Sequence, residues 1–169
     1  TDMFSLGAAV VDGVYNSNDD HTELGYELKA TFDGIENLTV FAGYSLEQDG
    51  ALSGDDTDAY NIWASYQFGD LLVAAEYSTI SDDSLGNDED SYLLMANYSV
   101  NDWLGFTGRY SVTDTELAAG GDTEESEYTI AALLKAHDNL GFIIEYRHDE
   151  EDISGDESDT IAIEATLTF

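Results

Sequence analysis

The chain of 169 residues has no cysteine and no proline. Lack of cysteine removes disulfide frameworks, thiol catalysis and cysteine-based zinc sites together. Without proline or a low-complexity linker nothing marks an internal boundary, and the length predicts one domain over residues 1–169. Basic residues are almost missing: 4 Lys and Arg stand against 37 Asp and Glu, for a formal net charge of −33. Such a field repels phosphate backbones and argues against nucleic-acid binding. No apolar run approaches the roughly 20 residues of a membrane helix. The chain begins at Thr1 without a charged-then-apolar leader, so the expectation is a processed chain whose signal peptide has been removed. Acidic chains are often disordered, but 43% hydrophobic and 12% aromatic content predicts a folded protein.

What the chain does have is alternation. Apolar residues recur with a period near two, and no helical period is sustained. Ten strands are predicted at about 3–15, 22–33, 37–47, 58–68, 71–80, 91–100, 103–113, 126–137, 140–148 and 159–169. Each is close to the roughly 9–11 residues a tilted strand needs to cross a bilayer. The connections alternate between tight turns (DGIE, GD, ND, HDN) and longer acidic loops such as EQDGALSGDDTD, SDDSLGNDED, TDTELAAGGDTEES and HDEEDISGDESD. The predicted fold is therefore all-β: a transmembrane up-and-down antiparallel barrel of about ten strands, or the C-terminal part of a larger one. Only the first strand is irregular, since Phe4, Leu6, Ala8 and Val10 give way to Val11, Gly13 and Tyr15. A bulge there would restore the face.

Alternation alone does not distinguish a protein core from lipid. Aromatic placement does. Phe32, Phe68, Phe106, Phe142 and Phe169 all fall at the tight-turn end of their strands. Tyr44, Tyr60, Tyr77, Tyr92, Tyr110, Tyr128 and Tyr146 fall toward the long-loop end. Two aromatic rows flanking a band of Leu, Ile, Val and Ala predict the girdles of a membrane barrel. Phenol rings suit the headgroup boundary, being apolar at one end and hydrogen-bonding at the other.

The opposite parity holds every cation: Lys29, Arg109, Lys135 and Arg147. Glu27, Glu76, Glu145 and Glu164 share it, with Asn61, Ser65, Gln67, Asn97 and Thr107. Charges at membrane depth must face a cavity or one another, so these are the expected pore-lining residues. The same parity carries Phe41, Trp63, Leu72, Leu93, Met95, Leu133 and Ile143. Since a barrel of about eight strands is filled by its own side chains, a second reading stays open beside an aqueous lumen: a structural, anchoring barrel plugged by ion pairs, whose acidic loops bind divalent cations, lipid or a protein partner.

The long loops hold most of the carboxylates, which would concentrate cations and repel anions at the mouth, less so in salt. Cation preference is the expectation for a channel. Asp55, Asp56, Asp58, Asp149, Glu150, Glu151 and Asp152 offer oxygen ligands for Ca²⁺ or Mg²⁺. No stretch completes an EF-hand loop, and a solvated acidic surface explains the same runs. No other cofactor is expected. Of the histidines, His137 falls in a tight turn, at the opposite end from His21 and His148. His148 and Asp149 are adjacent, and neighbours in a strand point to opposite sides. No nucleophile elbow, phosphate loop or dinucleotide fingerprint occurs, so no enzymatic activity is expected. Asn37 and Asn97 begin glycosylation-like triplets inside predicted membrane strands, where they are fortuitous.

The terminal IAIEATLTF, ending on Phe169, resembles the last strand of Gram-negative outer-membrane β-barrel proteins of the porin type. DWLGFTGRYS and LGFIIEYRHDEED are similar to porin strands. The resemblance implies an outer-membrane location, lipid contact, recognition of the last strand by the outer-membrane insertion machinery, and passive diffusion of small solutes. It also implies sixteen or more strands, against ten counted here. A homo-oligomer or larger assembly fits the same resemblance.

Overall fold

The computed structural model describes residues 3–11, 24–48, 56–82 and 86–168. Ten strands make up one sheet: β1 (Phe4–Val11), β2 (Leu24–Ile35), β3 (Leu38–Gln48), β4 (Thr57–Phe68), β5 (Leu71–Asp82), β6 (Asn87–Asn101), β7 (Leu104–Glu116), β8 (Asp122–His137), β9 (Leu140–Glu151) and β10 (Asp156–Leu167). Each strand pairs antiparallel with its neighbours in sequence, in the order β1 to β10. This is the up-and-down arrangement of outer-membrane barrels, here open between β1 and β10, whose outer edges have no ladder partner among the described residues.

Register keeps the apolar parity on one face. Leu28 sits opposite Tyr44, Ala42 opposite Ile62, Ala75 opposite Leu94, and Ile130 opposite Tyr146. That face is the exposed one: Leu6 is 82% exposed, Ile161 76%, Ile163 72% and Ile130 63%. A sheet folded to bury its apolar side chains from water shows the reverse. Along β3 to β9 the polar face is half-buried instead, while Glu27, Lys29, Lys135 and Glu164 on it are exposed.

The tight turns form where residue chemistry allows them. Asn37 takes φ 66° between β2 and β3, a left-handed conformation that Asn tolerates better than most side chains. Gly69 takes φ 59° between β4 and β5. Between β6 and β7, the Asn101 Oδ1 accepts from the backbone N–H of both Trp103 and Leu104 at 3.0 Å, the local bond that makes Asn a turn former. Register shifts occur at this end of the sheet, at Phe32/Ile35, Ser99/Asn101 and Lys135/His137. β1 pairs with β2 without a shift; the change of parity at Gly13 and Tyr15 lies outside the described residues.

At the other end the strands run longer than the alternation predicts. β6 begins at Asn87 rather than near 91, β8 at Asp122 rather than 126, and β9 continues to Glu151. Acidic stretches read as loops are thus paired ladder. Asp and Glu are disfavoured in strands, but each hairpin in register adds further backbone bonds at little extra entropy.

Candidate functional site

The half-buried polar face is the candidate site, and its charged centre spans β7 to β9. Arg109 and Arg147 both sit directly opposite Thr129 of β8, one on each side. Two residues toward the acidic end, Glu127 lies opposite Ser111 and Asp149. Arg109 Nη2 donates to Glu127 Oε1 and lies 3.4 Å from Thr129 Oγ1. Thr129 Oγ1 donates to the same Glu127 oxygen at 2.8 Å. Arg147 Nε is 3.8 Å from Glu127 Oε2 and donates to Asp149 Oδ2 at 3.0 Å. Ser158 Oγ of β10 donates to Asp149 Oδ2 at 3.1 Å. Glu127 therefore bridges two guanidinium groups. It is 21% exposed, against 39% and 41% for Arg109 and Arg147, so both cations remain open to the concave side.

The other predicted polar-face residues are more dispersed. Glu76 of β5 accepts from Asn61 Nδ2 of β4. The Lys29 stem lies across Gly7 of β1, where a Cβ would stand 2.7 Å from Lys29 Cε. Glu27 stands opposite Ala9 and Ser45, and Glu145 opposite Ala131 and Ala162. Glu164 is on the open edge strand and accepts from Thr166 Oγ1 at 3.2 Å. Lys135 stands apart at the tight-turn rim, paired with Asp138 at 3.0 Å.

Sequence reasoning missed Glu127 as the centre of this cluster. Its signal was available: it shares the parity of Thr129 and falls between the two arginine strands, but it sits beside the acidic run Thr123–Ser126. Asp149 was grouped with Glu150, Glu151 and Asp152 as an ion-binding run. The pleat separates them, with Asp149 and Glu151 on the polar face and Glu150 on the other, while Asp152 lies in the turn that follows. Asp149 is instead the partner of Arg147. Asp56 precedes β4, Asp58 is on the apolar face opposite Leu46, and Asp55 lies outside the described residues. Among the described residues no group of three His, Asp or Glu is placed to hold a metal ion. His148 does not meet Asp149 either; its Nδ1 is 3.0 Å from Asp159 Oδ1 across the ladder.

On the apolar face the aromatic rows are paired across strands. Ring centroids are 5.0 Å apart for Tyr44 and Tyr60, 5.1 Å for Tyr77 and Tyr92, and 4.6 Å for Tyr110 and Tyr128. The phenols point toward acidic groups at the long-strand end: Tyr77 donates to Asp90 and Tyr146 to Asp159, both at 2.7 Å. Phe32, Phe68, Phe106 and Phe142 occupy the tight-turn end, with Phe32 4.8 Å from Phe4 and Phe68 4.3 Å from Tyr66. Tyr66 and Tyr98 depart from the sorting, since Tyr66 lies beside Phe68 and Tyr98 opposite Phe106 at the Phe end. Phe169 lies outside the described residues.

An acidic, open-edged meander that exposes its apolar face and sets all four cations on the opposite one defines an outer-membrane β-barrel protein. The chain belongs to the Gram-negative porin family, which it matches over residues 1–154. No curated protein sequence matches it. Among solved structures, in-vitro folded OmpT, an outer membrane protein of Vibrio cholerae, superposes with a TM-score of 0.78 at 17% identity, covering 100% of this chain and 62% of that one. OccK3 (OpdO) of Pseudomonas aeruginosa gives 0.70 at 20% identity, covering 87% and 50%. A BenF-like porin from Pseudomonas fluorescens Pf-5 gives 0.68 at 12% identity, covering 87% and 49%. The chain thus spans about half to three fifths of the length of these structures. The protein is an outer-membrane porin-family chain.

Proposed function

We propose that the protein forms a water-filled channel for passive diffusion of ions and small solutes, with a preference for cations. One observation carries this reading: the half-buried face is polar, and its two arginines stay open on the concave side beside a bridging glutamate. Charged groups at membrane depth are retained where they line a cavity. The Arg109–Glu127–Arg147–Asp149 cluster supplies alternating charge along the wall, the kind of local field that sorts permeating ions. Around it the carboxylates greatly outnumber the cations, so the mouth attracts cations and repels anions. The apolar face then meets outer-membrane lipid, with its Tyr and Phe rows at the two boundaries.

Among the matched structures is a trimer form of OmpT, and self-association through the apolar face is part of the proposal. So is recognition of the last strand by the insertion machinery. The experiment is planar-bilayer conductance of the full protein purified from its native membrane. Symmetric salt gives resolved channel currents, and a salt gradient gives a reversal potential of cation-selective sign. No current in symmetric salt contradicts the channel; an anion-selective potential contradicts the charge argument.

A further inference from the structure

Among the described residues Phe41 and Trp63 are the only Phe, Tyr or Trp side chains on the polar face. They sit directly opposite each other on β3 and β4. Their planes are 14° from parallel with centroids 5.7 Å apart, an offset pair that forms one broad aromatic surface. Gly43 is the reason it lies flat. A Cβ at Gly43 would stand 3.1 Å from Phe41 Cε1, so the missing side chain lets the Phe41 ring recline along the wall instead of standing into the opening.

Polar groups border this surface on two sides. Glu76 is directly opposite Trp63 on β5. Asn61 faces Gly43 one pleat period along and donates to Glu76. An amide has two donors and a carbonyl acceptor, and a carboxylate has about four acceptor positions. One bond between them leaves capacity for a ligand's hydroxyls. The adjoining open concavity, lined by Phe41, Gly43 and Asn61 together with Glu27 and Lys29, has a volume of about 550 Å³, within the roughly 300–1,000 Å³ typical of small-molecule sites.

We infer that Phe41, Trp63, Asn61 and Glu76 form a binding station for a neutral sugar ring on the inner wall. This rests on the channel reading for its access route. A pyranose has an apolar C–H face, which packs on the rings, and a rim of hydroxyls, which bond to the amide and the carboxylate. An aromatic acid would use the rings but, with the Lys29 side chain drawn over Gly7 toward β1, would meet the negative charge of Glu76 beside them. A purely apolar solute would leave Asn61 and Glu76 without replacements for the water it displaces.

The test is saturation-transfer NMR of the detergent-solubilised full protein titrated with maltose, read without any current so that a closed channel and an absent site are distinguishable. Saturable transfer to maltose ring protons is expected, with a dissociation constant on the order of millimolar. Trp63→Leu keeps the apolar volume, and it should weaken binding about tenfold; Glu76→Gln should weaken it about threefold. Circular dichroism of each variant confirms the folded sheet. No saturable transfer, unchanged affinity in Trp63→Leu, or saturable binding of benzoate in place of maltose overturns the assignment.

Discussion

Glu127 is a single carboxylate serving two guanidinium groups, and the consequence of removing it follows from that count. Glu127→Gln leaves Arg109 and Arg147 facing each other across Thr129 with only Asp149 to balance them. The partners are two-fifths exposed, so solvent screens much of the repulsion and the stability cost is about 1 kcal/mol. In the proposed channel the effect on permeation is larger, because one negative charge is lost beside two positive ones. The reversal potential in a salt gradient should move toward anion preference; an unmoved potential would take the cluster out of the conducting path. Asn37 offers a separate test of backbone chemistry. Its φ of 66° suits Asn or Gly, so Asn37→Gly should be neutral in denaturant titration. Asn37→Val should cost about 1–2 kcal/mol.

At the scale of the strand, the extended ends of β6 to β9 are held in register against their own charge. Asp90 faces Asp114, Asp114 faces Glu124, and Asp88 faces Glu116, which faces Asp122. Directly opposed like charges weaken a ladder. Glu124 shows the result: partial loss of hydration, then the neighbouring Asp114 and Asp152 carboxylates, raise its pKa above the ordinary Glu value. A raised carboxyl pKa contributes stability that is complete below the ordinary value and lost as pH rises through the folded one. Acidification from neutral pH through that window should therefore increase the amide protection factors of Asp122–Ser126 and their β7 and β9 partners. Glu124→Gln should raise protection at neutral pH and flatten the dependence; a wild-type profile that falls on acidification would contradict the repulsion. Element existence was legible because every strand after the first alternates along its length. Element ends were not, because an acidic run looks the same as loop or as the continuation of a ladder. The register that decides comes from the neighbouring strand. The same applies to Asp149–Asp152, where contiguity in sequence suggested one site and the pleat made two faces.

For the whole molecule the decisive property is which face meets lipid. Leu94, midway along β6 and 61% exposed, lies between Ala75 and Tyr110 on the apolar face. Leu94→Arg should destabilise the protein folded in lipid by about 2–4 kcal/mol, while Asn97→Arg, on the polar face, should cost far less. Parity made the division into an exposed apolar face and a polar one readable from the sequence alone, whereas the Arg–Glu–Arg bridge and the reclining Phe41 needed cross-strand register and Gly43 beneath the ring. The absence of cysteine from this chain supplies the most direct measurement. Met95 and Ala96 are consecutive on β6 and point to opposite faces, Met95 toward Arg109 and Ala96 toward Gly108. In the protein in native outer membranes, Met95→Cys should react with a charged, water-soluble methanethiosulfonate reagent, and the reaction should reduce channel current. Ala96→Cys should not react with it. Reaction at Ala96→Cys with protection of Met95→Cys would reverse the sidedness and contradict the account.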